Sequence, residues 1–250
     1  MTYQERPSTI ERGVVWSVIP GPGGGRVLPD GCMDLLWLDG DLVIAGPDTS
    51  AYASATTTQR AVVGVRLSGG VGPSALGVPA YDVRNVRVSV ADVWGVRTAR
   101  CLRQRMDTAA DPGLELERII GVRLESSPAD PMLQFIDDLA RRGATVSSMA
   151  EAAGLSDRQL RRRTHAAFGY GLKTLSRIHR FQAALEFVRA GMPAAGAAVR
   201  AGYSDQPHLA REVRALTGES MSALLGPVTD HDHANKSMPL PSGSSIVAYR

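Results

Sequence analysis

The sequence predicts an α+β chain, a small N-terminal β-barrel or sandwich followed by an all-α domain in which two helix-turn-helix units are joined by a linker helix. Three observations predict it. Short valine-rich runs separated by glycine and proline occupy the first hundred residues. Alanine-rich helical spacing takes over across 131–225. Within that helical half, one eight-residue pattern returns at an offset of 48 residues.

In chain order, Val14, Val15 and Trp16 sit in an apolar run that stops at Pro20, and residues 21–25 are all glycine and proline, which marks a loop. Residues 32–38 and 41–45 are apolar runs joined at Asp39-Gly40, a pair that tolerates the positive φ of a two-residue hairpin turn. Residues 61–67 and 87–90 are further strand candidates. Between them, 73–76 starts a short helix, with Pro73 where its missing N–H costs little. Residues 96–106 and 114–122 carry helical spacing interrupted at Asp111-Pro112-Gly113, and they read as connecting helices. Ser126-Ser127-Pro128 marks a boundary. The expected division is therefore a β-rich domain over 1–100, a helical connector over 101–128, the helical domain over 129–226 and a polar tail over 227–250. The tail is expected to be disordered, although 246–249 has the composition to dock as a strand.

The repeat is the most informative feature. Ala150-Glu151-Ala152-Ala153-Gly154-Leu155-Ser156-Asp157 returns as Ala198-Val199-Arg200-Ala201-Gly202-Tyr203-Ser204-Asp205. Each copy continues with a leucine, an arginine two residues on and a glycine nine on: Leu160, Arg162 and Gly169, then Leu209, Arg211 and Gly218. The second copy is one residue longer, around Pro207. Two helix-turn-helix units, at about 145–169 and 193–218, explain the pattern. The alanine lets two helices approach, the glycine permits the tight turn, Ser156 or Asp157 (Ser204 or Asp205) caps the second helix, and the leucine buries it.

With Leu160 inward at 100° per residue, Arg158, Arg161, Arg162 and His165 point outward, and with Leu209 inward, Pro207, Arg211 and Arg214 do, flanked by His208 and Ala210. Ser156, Gln159 and Gln206 extend the two faces at their N-terminal ends. No acidic residue occurs between Arg158 and Leu185, while Arg158, Arg161, Arg162, Arg163, Lys173, Arg177 and Arg180 do. Most charge runs are solvated faces; one sign centred on two such helices points instead to a nucleic-acid surface. The helical run 172–189 between the units spans about 27 Å at 1.5 Å per residue, which can hold the two outer helices about one B-DNA turn, roughly 34 Å, apart.

Composition agrees. The formal net charge is +3 and the sequence pI about 9.1. The basic charge is nearly all arginine, the lysines being Lys173 and Lys236, and arginine suits bidentate contacts to phosphate and guanine; a G- and C-rich genome would produce the same bias. Two cysteines, Cys32 and Cys101, exclude a disulfide framework and a four-cysteine zinc site. No apolar run approaches the roughly 20 residues of a membrane span, and no secretory signal opens the chain. A cytoplasmic protein, nucleoid-associated when bound to DNA, is expected.

The segment from about Pro131 to Leu225 resembles the DNA-binding domain of the AraC/XylS transcriptional regulators. The resemblance rests on Leu155-Ser156-x-x-x-Leu160-x-Arg162, on Gly202-Tyr203-x-Asp205-x-x-x-Leu209-x-Arg211, on the linker helix and on Gly169 and Gly218. It implies base reading by Arg158, Arg161 and Arg162 in the first unit and by Pro207, His208 and Arg211 in the second, where Pro207 offers no side-chain hydrogen bond. The family's aromatic two residues after each arginine is Thr164 and Val213 here. Residues 26–37, Ala45-Gly46-Pro47-Asp48 and 63–67 resemble a regulator-associated, cupin-like β-domain that senses a small molecule or mediates dimerisation. The implied partners are double-stranded DNA at two adjacent major-groove segments, RNA polymerase, a small-molecule effector and a second copy of the chain.

An enzyme of DNA repair or small-molecule modification, with its chemistry at Cys32 of the β-domain, is the alternative. Cupin enzymes hold metal with histidines, and His165, His179, His208, His231 and His233 all lie beyond residue 160, so neither a metal nor a cofactor is expected. Asp30 and Asp34 beside Cys32 would raise its thiol pKa, which disfavours a nucleophile. Trp16, Cys32, Trp37 and Arg66 are the candidate lining of an effector pocket, with Arg66 as the grip for an anion, although core aromatics and a surface arginine would explain the same residues.

Overall fold

The computed structural model describes residues 2–19, 25–54, 60–225 and the backbone of 246–248. The N-terminal part contains strands β1 (Thr2–Pro7), β2 (Gly13–Ile19), β3 (Gly25–Val27), β4 (Met33–Leu38), β5 (Asp41–Ala45), β6 (Tyr52–Ser54), β7 (Val62–Leu67) and β8 (Arg87–Ser89). With them come helices α1 (Gly72–Leu76), α2 (Val90–Trp94), α3 (Val96–Asp107) and α4 (Pro112–Ser126). A six-stranded sheet runs in the order β1-β2-β7-β4-β5-β8, with every neighbouring pair antiparallel. The β4–β5 hairpin turns on Asp39 (φ 52°) and Gly40 (φ 83°), the left-handed pair the sequence predicts. A smaller sheet, β6-β3-β9, is completed by β9 (Ile246–Ala248) lying antiparallel to β3. The rest of the expected disordered tail, Tyr249 included, lies outside the described residues, as do residues 21–24 of the expected glycine–proline loop.

Alternation along β4 divides the large sheet into two faces. Met33, Leu35 and Trp37 point to one face, where they pack with Ile44, Val65 and Leu67 beneath Leu76, Leu102, Met106, Leu116, Ile119 and Ile120. Leu36 and Leu38 point to the other, with Trp16, Val18 and Val62. Gly64 is required there, because a Cβ on it would stand 2.6 Å from Cε2 of the Trp16 indole. The helices over the first face correct one expectation. α3 and α4 are not mere connectors, since their apolar side chains complete the sheet's own core. Asp111 caps α4 by accepting from Leu114 N–H, with Pro112 in its first turn.

Glu117 ties α4 to the β1–β2 end of the sheet. Its buried carboxylate accepts from Arg6 Nη2 (2.7 Å), Ser8 Oγ (2.7 Å) and Thr9 N (2.6 Å). Burial alone would raise this carboxyl, but hydrogen bonds from Arg6, Ser8 and Thr9 outweigh it and hold the group at about 2. Because the folded value lies below the unfolded one, the stability that Glu117 contributes is complete above about pH 4.5 and is lost as the pH falls toward 2. Thermal melts between pH 5 and 2 should therefore fall less steeply for Glu117→Gln than for the wild type; parallel curves would mean the carboxylate contributes nothing.

The helical part comprises α5 (Pro131–Arg141), α6 (Val146–Ala152), α7 (Asp157–Phe168), α8 (Leu172–Arg189), α9 (Ala194–Arg200), α10 (Gln206–Thr217) and α11 (Met221–Leu225). It has two cores. Ile136, Met149, Leu160, Phe168, Leu172, Leu175 and Ile178 form the first. Phe181, Leu185, Ala198, Leu209, Val213 and Leu216 form the second, and this one also takes in Leu28 from the N-terminal part, which is 1 % exposed. Helix α8 runs through both. Among the described residues no helix is long and apolar enough to cross a membrane.

Candidate nucleic-acid interface

Each repeat copy folds as helix, turn, helix. In the first, α6 ends at Gly154 (φ 62°), whose N–H bonds Glu151 O, while Leu155 N–H reaches back to Ala150 O. In the second, Gly202 (φ 80°) bonds Val199 O, and Tyr203 reaches back to Ala198 O. A side chain at either glycine would be strained in this left-handed turn. The buried Ala150 and Ala198 let each helix pair close. Both second helices, α7 and α10, end on left-handed glycines, Gly169 and Gly218. Two helix-turn-helix units thus share one polypeptide, joined by an 18-residue α8 of roughly 27 Å.

The outer faces are divided more finely than sequence spacing suggests. Arg158, Arg161 and Arg162 are exposed on α7, and Pro207, Arg211 and Arg214 on α10. Gln206 is exposed in the first turn of α10, while His165 and His208 are half-buried. His208 Nδ1 lies 3.1 Å from Ser204 Oγ, and its ring meets the edge of Tyr203. Asp205, not Ser204, caps α10 by accepting from His208 N–H at 2.6 Å.

Two expectations are corrected here. Ser156 and Gln159 spend their side chains on a reciprocal capping box at the start of α7, the hydroxyl facing the Gln159 N–H and the amide oxygen accepting from Ser156 N–H. The one-signed run is not one face either: Arg163 turns toward Asp130 (3.7 Å), Arg177 pairs with Glu212 of α10 (2.5 Å), and Arg180 stacks on Tyr203. Arg158, Arg161, Arg162 and Lys173 remain exposed. Thr164, at the position of the family's aromatic, is fully buried with its hydroxyl bonded to Arg161 O.

The proposed effector-pocket residues do not line one cavity. Trp16 and Arg66 share a face of the sheet, and Trp37 lies on the other. Arg66 is not a surface arginine. It is 4 % exposed, with Nε 3.0 Å from Asp30 and 3.7 Å from Asp34, which in turn accepts from Trp16 Nε1 at 2.7 Å. Burial pushes Asp30 up to about 6 against the pull of Arg66. Cys32 is buried, and desolvation with the Asp30 charge beside it raises its thiol well above the ordinary value, the opposite of what an activated nucleophile needs. No cluster of three metal-ligating side chains occurs among the described residues.

Sequence reasoning missed a second polar centre. Asp137, 1 % exposed, accepts from Arg141 Nε (2.9 Å) and lies 2.7 Å from His179 Nε2, with Arg12 Nη1 at 3.8 Å. Burial lowers the His179 imidazole below its ordinary value. Burial would raise Asp137, but the His179 hydrogen bond and the Arg141 charge hold it below the usual carboxylate value. The available signal was a carboxylate on the apolar stripe of α5, beside Ile136 and Ala140.

Two helix-turn-helix units with exposed arginines on each second helix define a DNA-binding protein. A family model described as a helix-turn-helix domain matches residues 149–226. The C-terminal region carries a helix-turn-helix domain of the AraC type, and the chain is a DNA-binding transcriptional regulator. A second model, a domain of unknown function designated DUF6597, matches residues 13–89. Among solved structures, a probable AraC family transcriptional regulator from Rhodopseudomonas palustris is 21 % identical over 37 % of this chain and 93 % of its own, with a TM-score of 0.33. The C-terminal domain of AraT, a response regulator from Geobacillus stearothermophilus, is 22 % identical over 43 % of this chain and 98 % of its own, with a TM-score of 0.37. The apo form of a single-substitution variant of ToxT from Vibrio cholerae is 9 % identical over 86 % of this chain and 97 % of its own, with a TM-score of 0.47. No curated protein matches the chain.

Proposed function

We propose that a single chain reads two successive major-groove segments on one face of its operator, α7 entering one and α10 the next. The observation that carries this reading is the exposure of Arg158, Arg161 and Arg162 on one second helix and of Arg211 and Arg214 on the other, within one polypeptide. We take the DNA-binding unit as residues 131–225 and the regulatory unit as residues 2–126, whose core α3 and α4 complete. The first unit supplies most base contacts. The second, with Pro207 at the start of α10, supplies more of the phosphate contact. The regulatory unit senses a small molecule or joins two chains. An open groove of about 370 Å³ lies between α1 and α7, lined by Pro73, Val78, Leu133, Arg163 and Ala167. RNA polymerase is a further partner in this reading, and the cytoplasm its compartment.

Selection of genomic DNA fragments by the full chain, followed by footprinting, tests the proposal. Protection should cover two adjacent major-groove segments about 34 Å apart. The site should be asymmetric, because the two helices present different residues. Protection of one segment only, or a strict requirement for a palindrome, would overturn it.

A further inference from the structure

Both DNA-reading helices are held at their C-terminal ends by the N-terminal part of the chain. In the last turn of α7, Ala166 O accepts from Ala80 N–H at 2.8 Å, and Gly169 O just beyond it accepts from Arg84 Nη1 at 3.2 Å. The contact is tight: a Cβ on Gly169 would stand 2.8 Å from Pro47 Cγ and 3.0 Å from Ala80 O. In the last turn of α10, Leu216 O accepts from Ala51 N–H at 2.7 Å and Thr217 O accepts from Arg26 Nη1 at 2.8 Å, while Arg26 Nη2 pairs with Glu219 at 3.1 Å. Each helix end therefore receives one backbone N–H and one guanidinium from the N-terminal part. A helix C-terminus offers unpaired carbonyls and negative partial charge, so these donors match it chemically.

Between the two attachments, a single loop touches both units. Leu28 enters the second core, Pro29 O accepts from Gln182 Nε2 of α8 at 2.6 Å, and Gly31 lies against Leu175, His179 and Tyr170. The two helix-turn-helix cores are separate clusters joined by α8, and a single helix bends. The N-terminal part bridges them a second time and leaves the outer arginines of α7 and α10 exposed.

We propose that the N-terminal part is a two-armed clamp, Ala80 with Arg84 on α7 and Ala51 with Arg26 on α10, that fixes the separation of the two reading helices and so sets the spacing of DNA segments the chain accepts. Arg26 and Arg84 are positioning residues: they act on DNA through the helices they hold. The clamp rests on the two-segment reading above.

The test uses the full chain, the selected operator, and versions of it with one base pair inserted or removed between the two segments. Each step moves one segment by about 3.4 Å and turns it by roughly 35°. Wild-type affinity should fall about tenfold or more at either altered spacing, whereas a folded Arg26→Ala, Arg84→Ala double variant should bind all three operators within about threefold of one another. Lysine at both positions, which retains a donor for each carbonyl, should restore part of the discrimination; a role in stability alone would move the melting temperature and leave the spacing ratio intact. If the double variant does not fold, Arg26→Gln and Arg84→Gln, each releasing one arm, carry the same comparison. An unchanged spacing ratio in a folded variant would overturn the clamp, and so would tighter binding of the native operator, which would mean that the contacts restrain DNA binding. Failure of the wild type to protect two segments would instead overturn the two-segment reading on which the clamp rests.

Discussion

Alanine at both Arg162 and Arg211 is expected to weaken operator binding by roughly 2–6 kcal/mol, at least about thirtyfold. A guanidinium that reads a base or clamps a phosphate contributes about 1–3 kcal/mol. The two residues sit on separate helices with no shared partner, so their effects should nearly add. Both are exposed and, among the described residues, have no hydrogen bond or ion pair to lose, so the double variant should melt like the wild type. Equilibrium binding at one fixed salt concentration, repeated on single-base operator variants, separates the possible contacts. Loss of discrimination at one base pair marks a base reader; a uniform loss with a shallower salt dependence marks a phosphate contact. Undiminished affinity in a folded double variant would place both arginines outside the interface.

Asp137→Ala should be the most destabilising single change in the helical domain, by about 3–5 kcal/mol, because it leaves buried partners uncompensated. Removing the carboxylate strands Arg141 Nε and His179 Nε2, which approach it at 2.9 and 2.7 Å, and takes one of two acidic neighbours from Arg12, which also pairs with Asp138 at 2.5 Å. For a chain of this size the melting temperature should drop by about 6–20 °C. The sign with pH follows from the direction of the shift. The Asp137 carboxyl is held below its ordinary value, so its contribution is present above the unfolded carboxylate range and is lost on acidification. Asp137→Asn keeps the shape without the charge and should fall between wild type and alanine in a thermal melt. An unchanged melt for the alanine variant would show that water replaces the carboxylate without cost.

The parts legible in the sequence were those in which local chemistry and tertiary role coincide. Asp39-Gly40 could do little but turn, and the repeat carried its own glycines, caps and inward leucines. The first strand, Thr2–Pro7, was not legible, because an edge strand with mostly polar side chains has no apolar alternation to read. The burial of Arg66 against Asp30 and Asp34 was not legible, and an anion grip or a surface arginine fitted equally well, because nothing nearby in sequence shows that the β4–β7 register sets Asp34 opposite it. The capping box claimed Gln159 because the same residue type serves a cap or a base edge, and only geometry separates the two uses. Half of each attachment to α7 and α10 is the backbone N–H of Ala80 or Ala51, a donor that every residue but proline carries. The outer arginines were legible as a face, yet the division of their neighbours among Asp130, Glu212 and Tyr203 required the packing of three helices.

Leu28 limits how freely the two halves of this chain could be exchanged with those of other proteins. Its side chain fills a place in the core around Phe181, Leu209 and Leu216, more than 150 residues away. A chimaera that carried this helical pair under a foreign regulatory unit would open a cavity there, and Leu28 placed over a foreign helical pair would meet a core already filled. Such a recombinant would inherit a folding defect at the junction before any question of DNA sequence arose. Exchange within this lineage is therefore expected to transfer the Leu28 loop together with the α8–α10 core that receives it, as one unit of inheritance cutting across the boundary between sensing and reading.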